Sequence, residues 1–140
     1  MITCTRRIQF CAGHRVHRHE SKCRNLHGHN YVAFFEAVAP ELDAVGRVID
    51  FSVLKEKLGG WIDRHWDHGF LCWKEDFEAQ KAVRTVVPQK IFLMPDNPTA
   101  ENMASYLLLV VCVEQLEGTG VTVRKVIVWE TENCHAEATL

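Results

Sequence analysis

The stretch CRNLHGHNY, Cys23 to Tyr31, places one thiol and two imidazoles within seven residues. His27 and His29 are two apart, so on a β-strand their side chains share a face, with Cα atoms about two rises of 3.3 Å apart. That spacing suits one small cation. A third donor stands upstream in AGHR, where His14 is followed by His17 and His19. Two strands joined by the intervening loop bring His14 across from His27 and His29. Three neutral imidazoles with an open fourth position form the catalytic zinc arrangement, whereas four protein ligands form a closed, structural one. Cys23 decides between them. As a fourth ligand it closes a Cys/His3 site and fastens the loop. Held off the metal, it is a thiolate base or nucleophile, because a cation and basic neighbours favour ionised sulfur. Histidines two apart also occur on ordinary strands, and spacing leaves all three readings open.

A second constellation, WDHGF, presents Asp67 and His68 at the end of a helical pattern. A histidine there can simply meet the helix dipole. Beside a thiolate, an imidazole oriented by a carboxylate becomes a proton acceptor near neutral pH. Glu130, in VWETEN, is either a solvent-facing edge residue or a recognition carboxylate. In the second role it accepts two parallel hydrogen bonds from an N–H and adjacent NH2 of a heterocycle, while Trp129 alternates to the other face.

The elements that must position these groups follow from periodicity. The even positions Ile2 to Ala12 alternate with polar odd ones, which predicts a half-buried strand. HNYVAFFEAVA, His29 to Ala39, is apolar on both alternating faces apart from Glu36, so both faces are expected to meet protein, some of it from another subunit. A helix is expected from about Ser52 along Val53, Leu54, Leu58, Trp61 and Ile62, weakened at Gly59-Gly60. Cys72 to Val87 has no sustained period and reads as an insertion, with Lys90 to Met94 a short strand. Thr99 is a fitting N-cap and Glu101 suits the first turn of a helix over Ala100 to Glu117. Val121 to Thr131 returns to period two, and Asn133 to Leu140 forms a last strand. The order β β α (insertion) α β β predicts an α+β fold with an antiparallel β-sheet in one domain over residues 1–140.

Composition limits the function classes. At 140 residues and 47% apolar, the chain can bury a core without staples. Six irregularly spaced cysteines, and an opening MITCTRRIQF without an apolar leader, point to free thiols in a reducing cytoplasm. The longest apolar run, Tyr106 to Val113, is far short of the roughly 18 residues of a membrane span. Residues 1–29 carry six Lys/Arg against one acid, Glu20. That end is either a solvated basic face or a site for an anionic ligand. It lacks the interleaved aromatics that single-stranded nucleic acid needs, and no nucleic-acid partner is expected.

Jointly, F-x-A-x-H at Phe10 to His14, CRNLHGHNY, VIDFSVLK, WDHGFL, NPTAEN at Asn97 to Asn102 and VWET resemble the 6-pyruvoyltetrahydropterin synthase and 6-carboxytetrahydropterin synthase family. The resemblance implies a tunnelling fold (T-fold): two helices packed on one face of the sheet, with subunits joined edge to edge in a trimeric barrel and trimers stacked as a hexamer. It also implies zinc on His14, His27 and His29, with Cys23 as a base off the metal. Asp67 and His68 would complete a proton relay, Glu130 would anchor the pterin, and Thr99 and Glu101 would contribute to the rim of a pocket between subunits. Three residues separate Cys23 from His-Gly-His, as in the carboxy branch of the queuosine and 7-deazapurine pathway; animal-type pyruvoyl synthases have five. The expected reaction converts 7,8-dihydroneopterin triphosphate to 6-carboxy-5,6,7,8-tetrahydropterin, acetaldehyde and triphosphate. Two alternatives stand beside it: a pyruvoyl synthase that eliminates triphosphate only, and a non-catalytic zinc-stabilised binding module.

Overall fold

Alternation in the first segment becomes strand β1, Cys4–His14, with Ile8, Phe10, Ala12 and His14 as its buried face. The computed structural model, which describes residues 1–140, pairs β1 antiparallel with β2, His27–Val38. Register sets His14 opposite His27 and Ala12 opposite His29. Along β2 the residues Tyr31, Ala33, Phe35 and Ala37 are fully buried, while the alternate Val32, Phe34 and Glu36 are half-buried. Within one chain, then, only one of the two apolar faces of this strand is fully covered.

The covering layer consists of two helical rods. The first joins α1 (Phe51–Leu54), a π-helical turn (Lys55–Gly59) and α2 (Gly60–His65). Asp50 starts it by accepting from Ser52 N at 2.8 Å. The π turn ends at Gly59, beside the Gly59-Gly60 weak point. Leu54, Leu58, Trp61 and Ile62 are its buried stripe. The second rod joins α4 (Ala100–Tyr106), a π turn (Leu107–Val111) and α5 (Cys112–Gln115). Between the rods in sequence lies α3 (Phe77–Arg84). Both rods contribute to one hydrophobic cluster of 26 buried residues against the sheet. All six cysteines are free.

The sheet is mixed, which corrects the antiparallel expectation. β3 (Gly69–Trp73) runs parallel to β1, and β4 (Ile91–Met94) runs parallel to β3. β5 (Thr122–Thr131) and β6 (Cys134–Thr139) complete the order β4-β3-β1-β2-β5-β6 with antiparallel pairings. A parallel neighbour needs a crossover connection, usually through a helix. Cys72 to Val87 holds that connection and is not a patternless insertion: it contains the end of β3 and all of α3. Leu71 belongs to the main core, whereas Phe70 and Cys72 join Ala79 of α3 in a separate small cluster. By strand alternation α3 therefore sits on the face opposite the rods. That face is otherwise open.

Candidate functional site

His14, His27 and His29 are held on the rod-covered face by strand parity, with one donor atom from each within 4.8 Å of the others. Two of the rings are oriented by backbone. His14 Nδ1 lies 2.7 Å from Pro98 O, and His27 Nδ1 lies 2.7 Å from Asn25 O. A carbonyl only accepts, so both Nδ1 atoms carry the proton and both Nε2 atoms present bare lone pairs. Those lone pairs face each other at 3.1 Å. With no hydrogen between them they repel, unless a cation lies there. Tetrahedral zinc with Zn–N of 2.0–2.1 Å puts its nitrogen ligands about 3.3 Å apart. His29 Nε2 is buried without a hydrogen-bond partner; an oxygen of Glu130 is 3.3 Å away but not aligned to accept.

Electrostatics favour the ligating form of His14 and His29. Burial pushes the His14 imidazole down to about 4, the hydrogen bond to Pro98 opposing and the other two rings adding to the shift. Burial likewise lowers His29, opposed by Glu130. An imidazole binds metal only when neutral, so the donor set, its tautomers and its spacing fit a zinc ion. Tyr31 stacks edge-on beneath His14 and His29, its hydroxyl buried and unpaired.

NPTAEN fastens the surroundings. Pro98 sets the His14 tautomer, and the Asn97 side chain clamps the loop after β1 by accepting from His17 N at 2.9 Å and donating to His17 O at 2.8 Å. Thr99 caps α4, its hydroxyl accepting from Asn102 N at 3.1 Å, and Glu101 is exposed in the first turn. Arg15 ties the same loop to the buried Asp76, with Nε donating to Oδ2 at 2.7 Å. Cys23 sits half-buried in a short 3-10 turn, Lys22–Arg24. Its carbonyl accepts from Val16 N at 2.8 Å, and its sulfur is in neither of the two donor groups of the chain. His17 lies against Trp73 and near Asp76, and His19 near Glu20, apart from the imidazole cluster.

Asp67 and His68 lie where α2 stops. Trp66 is fully buried, Asp67 N returns to Ile62 O at 2.8 Å, and His68 takes a left-handed φ of 58°. Such a φ in a non-glycine residue needs support from its surroundings. Here His68 N donates to Cys11 O at 2.7 Å, and Lys90 Nζ donates to the carbonyls of Asp63 and Asp67 at 2.7 and 2.6 Å. Asp67 Oδ2 accepts from His68 Nδ1 at 2.9 Å, while Oδ1 accepts from Cys11 N at 3.0 Å. Burial raises the Asp67 carboxyl, but the Cys11 N–H, the His68 ring and Lys90 outweigh it and hold it below the usual range.

The thiol against this pair within the chain is Cys11, not Cys23: its sulfur is 3.6 and 3.5 Å from the two ring nitrogens of His68. Cys11 has the opposite parity to His14 on β1, so this cluster stands on the open face of the sheet. It borders a cleft of about 510 Å3 lined by Cys11, Gly13, Gly28 and His68 and, along β2, by His27 and His29. Another cleft, about 800 Å3, runs past His29, Glu130 and Trp129. Sequence reasoning missed Cys11. The signal was its odd place in the β1 alternation, but that signal had meaning only once β3 was known to lie beside β1.

A family model described as 6-pyruvoyl tetrahydropterin synthase matches residues 3–139. A 6-carboxy-5,6,7,8-tetrahydropterin synthase of Rickettsia felis is 40% identical, over 98% of this chain and 99% of its own length. One of the same name from Aquifex aeolicus is 32% identical over 93% of each. Among solved structures, an uncharacterised protein from Wolinella succinogenes superposes with a TM-score of 0.80 at 24% identity, covering 99% of this chain and 97% of the other. The 6-pyruvoyl tetrahydropterin synthase of Caenorhabditis elegans gives 0.63 at 25% identity, covering 99% and 95%.

Proposed function

The chain belongs to the 6-pyruvoyl tetrahydropterin synthase family, and from that premise we propose that it is a zinc-dependent carbon-carbon lyase acting on 7,8-dihydroneopterin triphosphate. Its products are 6-carboxy-5,6,7,8-tetrahydropterin, acetaldehyde and triphosphate, a step toward queuosine and other 7-deazapurines. The observation that carries the metal is the pair of Nε2 atoms of the buried His14 and the half-buried His27, which face each other at 3.1 Å with both Nδ1 atoms on carbonyls. The carboxy reaction is supported by the names of full-length relatives and by the three-residue gap between Cys23 and His27.

His14, His27 and His29 would hold the ion through Nε2, and zinc bound by them would supply a Lewis acid for substrate oxygens and for the negative charge left when an adjacent carbon loses its proton. Cys23 takes that proton. His68, its Nδ1 fixed by Asp67, uses Nε2 to receive and return protons. Glu130 grips the N–H and NH2 edge of the pterin, with Thr99 and Glu101 toward the rim. Basic side chains of the first 29 residues offset the charge of the departing triphosphate.

The two faces bear on assembly. Asp67 and His68 stand on the face opposite the imidazoles, so one copy does not set its own His68 beside its own metal. In the proposed oligomer, two stacked trimeric barrels, the Asp67–His68 pair of one copy serves Cys23 of a neighbour. The chain has no helix long and apolar enough to cross a membrane.

The test is incubation of the zinc-loaded protein with 7,8-dihydroneopterin triphosphate, followed by mass analysis. Carboxytetrahydropterin with stoichiometric acetaldehyde is expected. A pyruvoyl product without acetaldehyde would move the chain to triphosphate elimination alone, and an untouched substrate would leave only a zinc-stabilised binding module.

A further inference from the structure

We propose that Cys11, Asp67 and His68 form a second, weaker site for a thiophilic divalent cation of the zinc class, and that its occupation stops turnover. The three side chains bring a soft sulfur, an imidazole nitrogen and a carboxylate oxygen within 4.8 Å of one another. Cys11 Sγ is 3.5 Å from His68 Nε2 and 3.8 Å from Asp67 Oδ1. Tetrahedral zinc with Zn–S of about 2.3 Å and Zn–N or Zn–O of 2.0–2.2 Å has S···N and S···O edges of about 3.5 to 3.6 Å. The cluster is thus close to ligating size before any cation arrives.

The protonation pattern also suits a cation. Asp67 Oδ2 accepts from His68 Nδ1, which leaves the lone pair of the ring on Nε2. Sulfur is also 3.6 Å from Nδ1, so it stands against the ring, not beyond Nε2. A turn of the 78%-exposed imidazole about its Cβ–Cγ bond gives up the hydrogen bond to Asp67, frees that carboxylate to ligate, and brings Nε2 to face the ion. On binding, Cys11 gives its thiol proton to solvent, and the fourth position opens to the cleft over Gly13 and Gly28.

Two features make the site weaker than the imidazole trio. Its ring is exposed where His14 is 1% exposed, and His68 must move. A cation there takes the Nε2 lone pair that proton transfer needs, so inhibition, unlike binding, rests on the function proposed above. The thiol at position 11 is then a liability that ties activity to the level of free zinc.

The experiment starts from protein carrying one equivalent of zinc, whose turnover of 7,8-dihydroneopterin triphosphate is recorded first; inactivity at that stage counts against the proposed function alone. Zinc is then titrated calorimetrically and against turnover, with Cys11→Ser and Cys11→Ala in parallel. Cys11 is only half-buried, and both variants are expected to keep the one-zinc activity. The wild type should take up a second equivalent, lose at least tenfold in rate as it does so, and recover on mild chelation. Both variants should bind that second equivalent at least about tenfold more weakly, the scale of a lost partner at a metal site. Absence of a second equivalent, or uptake and inhibition unchanged in both variants, would overturn the proposal.

Discussion

The two faces of the sheet treat their polar groups in opposite ways at the ends of β1 and β2. On the covered face, three imidazoles cluster with His14 buried and His27 and His29 half-buried, and two are fixed in tautomer by the carbonyls of Pro98 and Asn25. On the open face, Cys11, Asp67 and His68 cluster around a left-handed turn, with the imidazole mostly in solvent. Burial lowers the His14 imidazole and favours a bound metal. Exposure leaves the His68 ring free to meet substrate or a neighbouring copy. The roles proposed for them, metal ligand and proton carrier, need different surroundings, and alternation of His14 and Cys11 along β1 sets one cluster on each face.

The comparison breaks most visibly if the covered face is emptied. His27→Ala should abolish turnover and lower zinc affinity by more than the roughly 10–100-fold that an outer partner is worth, as read by metal content after dialysis. Retention of one tight zinc would remove the trio from the account. On the open face, His68→Gln should lower kcat by about 10²–10⁴, the usual worth of a general acid or base, while the zinc content stays at one. Loss of zinc together with rate would show that the faces are not independent.

Arg15→Ala tests the loop between the faces. It leaves the Asp76 carboxylate buried without its guanidinium and should cost about 3–5 kcal/mol in denaturant unfolding. Burial raises Asp76, but Arg15 and the Ala79 N–H outweigh it and hold the carboxyl low. A carboxyl lowered by folding stabilises above its unfolded value, near 3.9, and loses that contribution as pH falls through the lower folded value. Acid unfolding of the wild type should carry this loss, and the variant should lack it. The smallest effect is expected from Thr99→Ala, about 1 kcal/mol for a lost N-cap, with an additional rise in KM only if the hydroxyl also meets substrate.

Elements with a clean period were legible: the alternation of β1 and β5, and the apolar stripes of both rods. The imidazole trio was legible for the same reason, because spacing of two on one strand and pairing with another fix three side chains on one face. β3 was not. Its sequence GFLCW is buried on both faces, between the main core at Leu71 and α3 at Phe70 and Cys72, and so shows no alternation. With β3 hidden, the parallel pairing of Ala12 with Gly69 was hidden too, and with it the contact of Cys11 with His68. A site built from consecutive strands can be read from spacing; one that depends on a crossover needs the crossover first.

X-ray absorption at the zinc edge, on protein carrying one equivalent of the metal, tests most directly whether three imidazoles hold the ion with Cys23 uncoordinated. Only nitrogen and oxygen neighbours, at about 2.0–2.1 Å, are expected. A sulfur neighbour at about 2.3 Å would contradict it and make the centre a closed structural one.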